Sequence, residues 1–248
     1  MIQVPRLRLS LLLWSAGMLG AVAVTGTLLP KVLEGQALPM PLWAVSLLSL
    51  GQSAVIIALA VWAGVALAPA VCLQAPVFVA AITRRPLGPA LRPQLVPGLT
   101  AGLLGGSFLY TAWHYAPATL EEVSERLSLP LFARVVYGGI TEELLLRWGL
   151  MTALVWLIWT FLQRRDGAPA PGYVWFAITM SALLFGGGHL PAAVALVGAL
   201  NASAVVWVVG VNTAFGLLFG YLFWRSGLES AMVAHALTHV VNYLAELL

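Results

Sequence analysis

The sequence predicts an all-α polytopic membrane protein of about seven transmembrane helices, with an eighth left open, enclosing a polar site within the bilayer. Three observations predict it. Of 248 residues, 61% are hydrophobic and 8% charged, with a mean hydropathy of +0.95, outside the range of a domain that must wet its surface. Apolar runs long enough to cross a bilayer core, about 20 residues each, recur along the whole chain. One of those runs holds Glu142, Glu143 and Arg147, and charges at membrane depth persist chiefly where they pair, line a cavity or perform chemistry.

The length leaves little room for a soluble domain beside the spans, so 1–248 reads as a single membrane domain. The net charge of +3 and pI near 9.4 come from arginines scattered between apolar runs rather than gathered into a patch with interleaved aromatics, which argues against a nucleic-acid partner. A lone cysteine, Cys72, excludes an internal disulfide and any multi-cysteine metal site.

In chain order, Arg6 and Arg8 precede the first span, 9–29, which is long for a signal-peptide core and reads as an uncleaved anchor ended by Pro30. The second span is 42–67. The uncharged continuation 68–83, broken by Pro69 and Pro76, is expected to be an interfacial or re-entrant piece. A loop with Arg84, Arg85 and Arg92 leads to span three, from about 97 to 115, where Gly102, Gly105 and Gly106 permit close helix approach. Residues 118–127, with Glu121, Glu122, Glu125 and Arg126, have the pattern of a short amphipathic surface helix.

Span four, 131–162, carries Gly138 and Gly139, which can bend it, and then Glu142, Glu143 and Arg147; Arg134 lies where it can snorkel to the interface. After Arg164 and Arg165 comes span five, 173–189, finishing in three glycines and His189; 192–202 is apolar with no assigned state. Spans six and seven are 203–224 and 229–247, separated by Arg225, Ser226 and Gly227. The arginine-bearing loops alternate with acidic or uncharged ones, which places the amino terminus inside and the carboxyl terminus outside. The preference for Arg over Lys fits a bacterial cytoplasmic membrane.

Spacing then suggests chemistry. Glu143 and Arg147 stand four apart with the acid first, the favourable order for a helical ion pair, while Glu142 points to another face and stays available as a general base for water. The competing reading is a structural triad that fixes helix packing. His189 sits where span five breaks. His235, His239 and Asn242 share one face of span seven; two histidines at this spacing can ligate a metal, although the zincin pattern His-Glu-x-x-His is absent. His114, beside Trp113 and Tyr115, reads as interfacial.

Glu142-Glu143-x-x-x-Arg147, Phe185-x-x-x-His189 and His235-x-x-x-His239, in that order, resemble the three motifs of the CPBP intramembrane proteases, which include the CAAX prenyl endopeptidases of the Ras-converting type and the bacterial Abi proteins. The resemblance covers 131–247 as a catalytic core; 1–116 matches only in being hydrophobic spans. It implies that Glu142 and His189 activate water for attack on a peptide carbonyl, that His235 binds or polarises that carbonyl, and that Glu143 and Arg147 support the site. The last motif position departs from the family, since His239 replaces its Asn or Asp, and Asn242 lies one turn on as a substitute. No cofactor is required by the resemblance. If the enzyme is metal-dependent, Glu142, His189, His235 and His239 are the residues from which zinc ligands would be drawn.

The function expected is therefore an intramembrane endopeptidase, glutamic or metal-dependent, acting on a membrane-associated or lipid-anchored protein. The alternatives are a non-catalytic scaffold or immunity factor that keeps the motifs for packing, and a proton-coupled transporter. One geometric condition attaches to the constellation. His189 falls near the outer end of span five, whereas His235 lies two turns, roughly 9 Å, from the inner end of span seven, so tilt, a broken helix or a later membrane boundary must bring them level.

Overall fold

The computed structural model describes residues 4–121, 123 and 129–248. The fold is all-α, 82% helical and without strands among the described residues. Its principal helices are α1 (Arg6–Thr27), α2 (Leu42–Leu67), α3 (Pro76–Ile82), α4 (Leu87–His114), α5 (Leu131–Phe161), α6 (Pro171–Gly188), α7 (Leu190–Val197), α8 (Ala202–Ser226) and α9 (Leu228–Glu246).

Prolines mark the helix starts. Pro5, Pro41, Pro86 and Pro130 cap α1, α2, α4 and α5, and Pro76 and Pro171 occupy the first positions of α3 and α6. At these places the missing N–H is an orphan in any case, and the fixed φ is already helical. The α8 start uses a side chain instead, the Asn201 carboxamide oxygen accepting from the Ala204 N–H at 2.9 Å. Gly227, at φ +117°, makes the sharp turn into α9, a backbone angle that a side chain would strain.

Six segments are long and apolar enough to cross a membrane: Arg6–Val32, Leu42–Val71, Leu87–His114, Leu131–Phe161, Pro171–Val197 and Ala202–Ser226. The protein is an integral multi-pass membrane protein. Helix α9, the expected seventh span, has 19 residues and is not among the six. It is the most polar of the long helices because it turns Glu229, Ser230, His235, Thr238 and Asn242 into the interior. Residues 68–83 do not cross: a 3₁₀ turn, Ala68–Val71, ends at Cys72, and the seven-residue α3 reaches only about 10 Å.

Two elements differ from expectation. Helix α4 begins at Leu87, ten residues before the expected start of its span, and carries Pro93 and Pro97 inside it. These prolines leave the carbonyls of Pro89 and Pro93 without their helical N–H partners, within the first three turns of the helix. Of the expected surface helix 118–127, Ala118–Leu120 forms one 3₁₀ turn, and Glu122 and 124–127 lie outside the described residues.

The close approach expected at the α4 glycines is present, against α9. A methyl group placed on Gly102 would come within 2.6 Å of Leu237 Cβ, so only glycine lets the two backbones approach this far. The main core runs through both halves of the chain, from Leu9, Leu13, Ile57 and Val61 to Leu144, Ile178, Phe219 and Ala234. Around it, Leu19, Trp43, Leu47, Leu59, Trp62 and Leu104 are exposed, as helices facing acyl chains require.

Candidate active site

The site is built on α5, which departs from α-helical geometry where the charges lie. Tyr137–Glu142 and Leu144–Met151 are π-helical, a wider turn that is uncommon and concentrated at functional sites. The stretch is anchored from α1, where Thr141 Oγ donates to the Gly17 carbonyl at 2.7 Å.

Glu143 is fully buried. Its Oε1 lies 3.3 Å from Arg147 Nη1 and 2.8 Å from His235 Nδ1, so one carboxylate holds both an arginine on its own helix and a histidine 92 residues away. Arg147, 1% exposed, donates from Nη2 to the Gly216 carbonyl of α8 at 3.3 Å. Its guanidinium also stands over the Phe185 ring at 4.8 Å and the Phe219 ring at 5.5 Å. A buried guanidinium needs such company, since the charge alone would be strongly unfavourable there.

Glu142 is partly exposed, its side chain retaining 16% of its surface, and its Oε2 lies 3.7 Å from His235 Nε2. That is too long for a direct hydrogen bond and matches a gap bridged by water. Because Glu143 faces Arg147, it remains the acceptor. His235 therefore donates Nδ1–H to Glu143 and presents the Nε2 lone pair toward Glu142.

Gly138, one turn before Glu142, completes this side of the site. A methyl group on Gly138 would lie 2.7 Å from His239 Nε2 and 3.0 Å from His235 Nε2, so both ring nitrogens converge on the space its missing side chain leaves. The two imidazoles stack at 5.1 Å, and Phe219 covers the other face of His235 at 4.5 Å.

His189 is set differently. Its Nδ1 donates to the Phe185 carbonyl at 2.8 Å, which leaves Nε2 as the acceptor. The expected partnership of Glu142 with His189 is not a direct contact here: the carboxylate is nearest His235. The offset in depth is spanned by Phe185, whose ring lies 4.8 Å from the His189 ring and 6.1 Å from the His235 ring. Side chains on α6 lean back toward its start, the direction that brings them toward the His235 level.

Asn242, the alternative to His239, is already engaged: its Nδ2 donates to Glu246 Oε1 at 2.6 Å, and Glu246 Oε2 meets Arg134 Nη1 at 3.3 Å. The His239 ring makes no hydrogen bond among the described residues.

A zinc ion would require three of Glu142, His189, His235 and His239 to converge. Among the described residues no group of three or more His, Cys, Asp or Glu side chains is gathered closely enough. The Nδ1 hydrogen bonds of His235 to Glu143 and of His189 to Phe185 leave both Nε2 atoms free as ligands, but the side chains are not gathered closely enough to fit a metal as they stand, and no step is derived through one.

The sequence did not single out Phe219 or the Gly216 carbonyl. Both lie in an apolar run of α8 whose pattern carries no trace of what it faces. Gly138 was read as a bend, and its value is instead the space beside it.

With this geometry in place, one comparison bears on identity. Residues 124–241 match the family model described as type II CAAX prenyl endopeptidase Rce1-like. This segment is similar to the Rce1-like CAAX endopeptidases. The match spans α5 to most of α9 and contains all three motifs of the Rce1-like segment; α1 to α4 lie before it. No curated protein and no solved structure matches the chain. The match supports a peptidase.

Proposed function

We propose that the protein is an intramembrane endopeptidase that hydrolyses a peptide bond of a membrane-associated or lipid-anchored protein, with 131–247 as its catalytic core. The observation that carries this reading is the placing of His235 Nε2 3.7 Å from Glu142 Oε2, with the Nε2 atoms of His235 and His239 both packed against Gly138.

In this reading Glu142 and His235 each offer an acceptor to a single water. The water donates one hydrogen to each, and its lone pair is left directed at the substrate carbonyl. As the C–O bond forms, the water's proton passes to Glu142, and the carbonyl π electrons move onto the oxygen. Collapse of the tetrahedral intermediate breaks the C–N bond, with Glu142 returning the proton to the leaving amine. Glu143 and Arg147 act through His235 by fixing its tautomer and orientation.

The oxyanion needs a donor. His239 supplies it in this reading, because the Asn242 carboxamide already donates to Glu246. His189, with Nδ1 tied to the Phe185 carbonyl, orients substrate or leaving group from the far side of the Phe185 ring.

The test compares membrane proteins from cells carrying the intact chain and Glu142→Gln. An unprocessed precursor that accumulates in the variant supports the reading. Normal processing of every membrane protein with a stably folded variant overturns it.

A further inference from the structure

Away from the carboxylates, at the arginine-bearing end of the bundle, lies a cleft of about 580 Å³, within the range of roughly 300–1,000 Å³ typical of small-molecule sites. Its walls are apolar, drawn from Leu9 of α1, Val65 of α2, Val79 of α3 and Trp148 of α5. Arg6 and Arg85 stand at its exposed rim.

Neither guanidinium makes an ion pair or hydrogen bond among the described residues. Of the described acids, Asp166 is the exposed one at this end. Glu229 is buried, and its Oε1 accepts from the Val77 and Phe78 N–H groups at 2.7 and 2.9 Å. Arg8, Arg84 and Arg92 add to the same side, so the rim has uncompensated positive charge. In the wall, Trp148 is 3% exposed and its indole edge packs against Gly64 of α2.

An apolar slot with two unpaired guanidinium groups at its mouth matches one chemistry. We propose that the cleft binds an anionic glycerophospholipid: an acyl chain lies between α1, α2 and α3 against Trp148, and the phosphate lies between Arg6 and Arg85. The arginine-bearing end is the one the sequence places at the cytoplasmic leaflet, where anionic lipids concentrate.

The test uses the full chain in lipid nanodiscs containing either phosphatidylglycerol or phosphatidylcholine, each with a photoactivatable diazirine on the acyl chain, and maps adducts by mass spectrometry. Phosphatidylglycerol adducts are expected on peptides of α1, α2 and α3 and on the Trp148 peptide, several-fold above those of phosphatidylcholine. Arg6→Gln with Arg85→Gln should lower them roughly twenty-five-fold, about fivefold for each arginine near a charged lipid surface. Arg92→Gln, on the same side but outside the cleft, should leave them unchanged. Equal labelling by phosphatidylcholine, an unaltered double variant, or an Arg92→Gln loss as large as that of the double variant overturns the proposal. The comparison of the two lipids on the unsubstituted chain decides the matter even where a variant fails to fold.

Discussion

The Glu143 carboxylate accepts from His235 Nδ1 at 2.8 Å while lying 3.3 Å from Arg147 Nη1, so the helix that carries the acids and the helix that carries the histidines meet at one oxygen. Removing that oxygen leaves a fully buried guanidinium without its counter-charge. Glu143→Ala should therefore destabilise the fold by about 3–5 kcal/mol, a large share of the stability of an ordinary domain. Thermal unfolding of the purified protein in detergent checks this. Replacing Glu143 and Arg147 together by leucine should cost clearly less than the single change, since neither charge is then stranded.

Glu142 makes no hydrogen bond among the described residues and keeps part of its surface, so its loss should be felt in rate rather than stability. Glu142→Gln is expected to lower turnover of the accumulated precursor by about 10²- to 10⁴-fold, the usual contribution of a positioned general base, with an unchanged melting temperature. A variant that melts much earlier and loses activity only in proportion would indicate a packing role.

Gly138→Ala places a methyl group 2.7 Å from His239 Nε2 and 3.0 Å from His235 Nε2, where the proposed reacting atoms must also fit. Activity should fall by at least about tenfold, since small misplacements at a reacting centre are costly. Gly26→Ala serves as the control, since its added methyl group has nothing within 4 Å.

His239 and Asn242 are separable. Loss of an oxyanion donor in His239→Leu should cost about 10²- to 10³-fold in rate, and His239→Asn, the residue type of the family motif, should restore most of it. Asn242→Ala should spare the rate and remove about 1 kcal/mol of stability with its bond to Glu246. Parallel kinetics and melting curves distinguish the two patterns.

Much of the fold was legible because hydropathy and proline placement act locally. The bounds of α2, α6, α8 and α9 follow within two or three residues from where apolar runs meet Pro41, Pro171, Asn201 and Gly227. The start of α4 was hidden, because Pro93 and Pro97 suggest a loop, although the helix runs through both. The members of the site were legible through their spacing, and the pairing of Glu143 with Arg147 follows from a separation of four. The nearness of Glu142 to His235 was not. It depends on the π-helical turn and on how deeply α9 lies against α4, and neither is encoded within a single helix.

The polarity of α9 bears on how the chain is assembled. A 19-residue segment with Glu229, His235, His239 and Asn242 partitions poorly into lipid by itself, whereas α4, made earlier, offers a glycine-lined groove already in place. Integration of α9 is thus conditional on docking: closing the groove with Gly102→Leu should strand the following carboxyl-terminal segment outside its normal topology, readable by a terminal reporter. The reactive imidazoles would then enter the bilayer only once a finished bundle is there to shelter them.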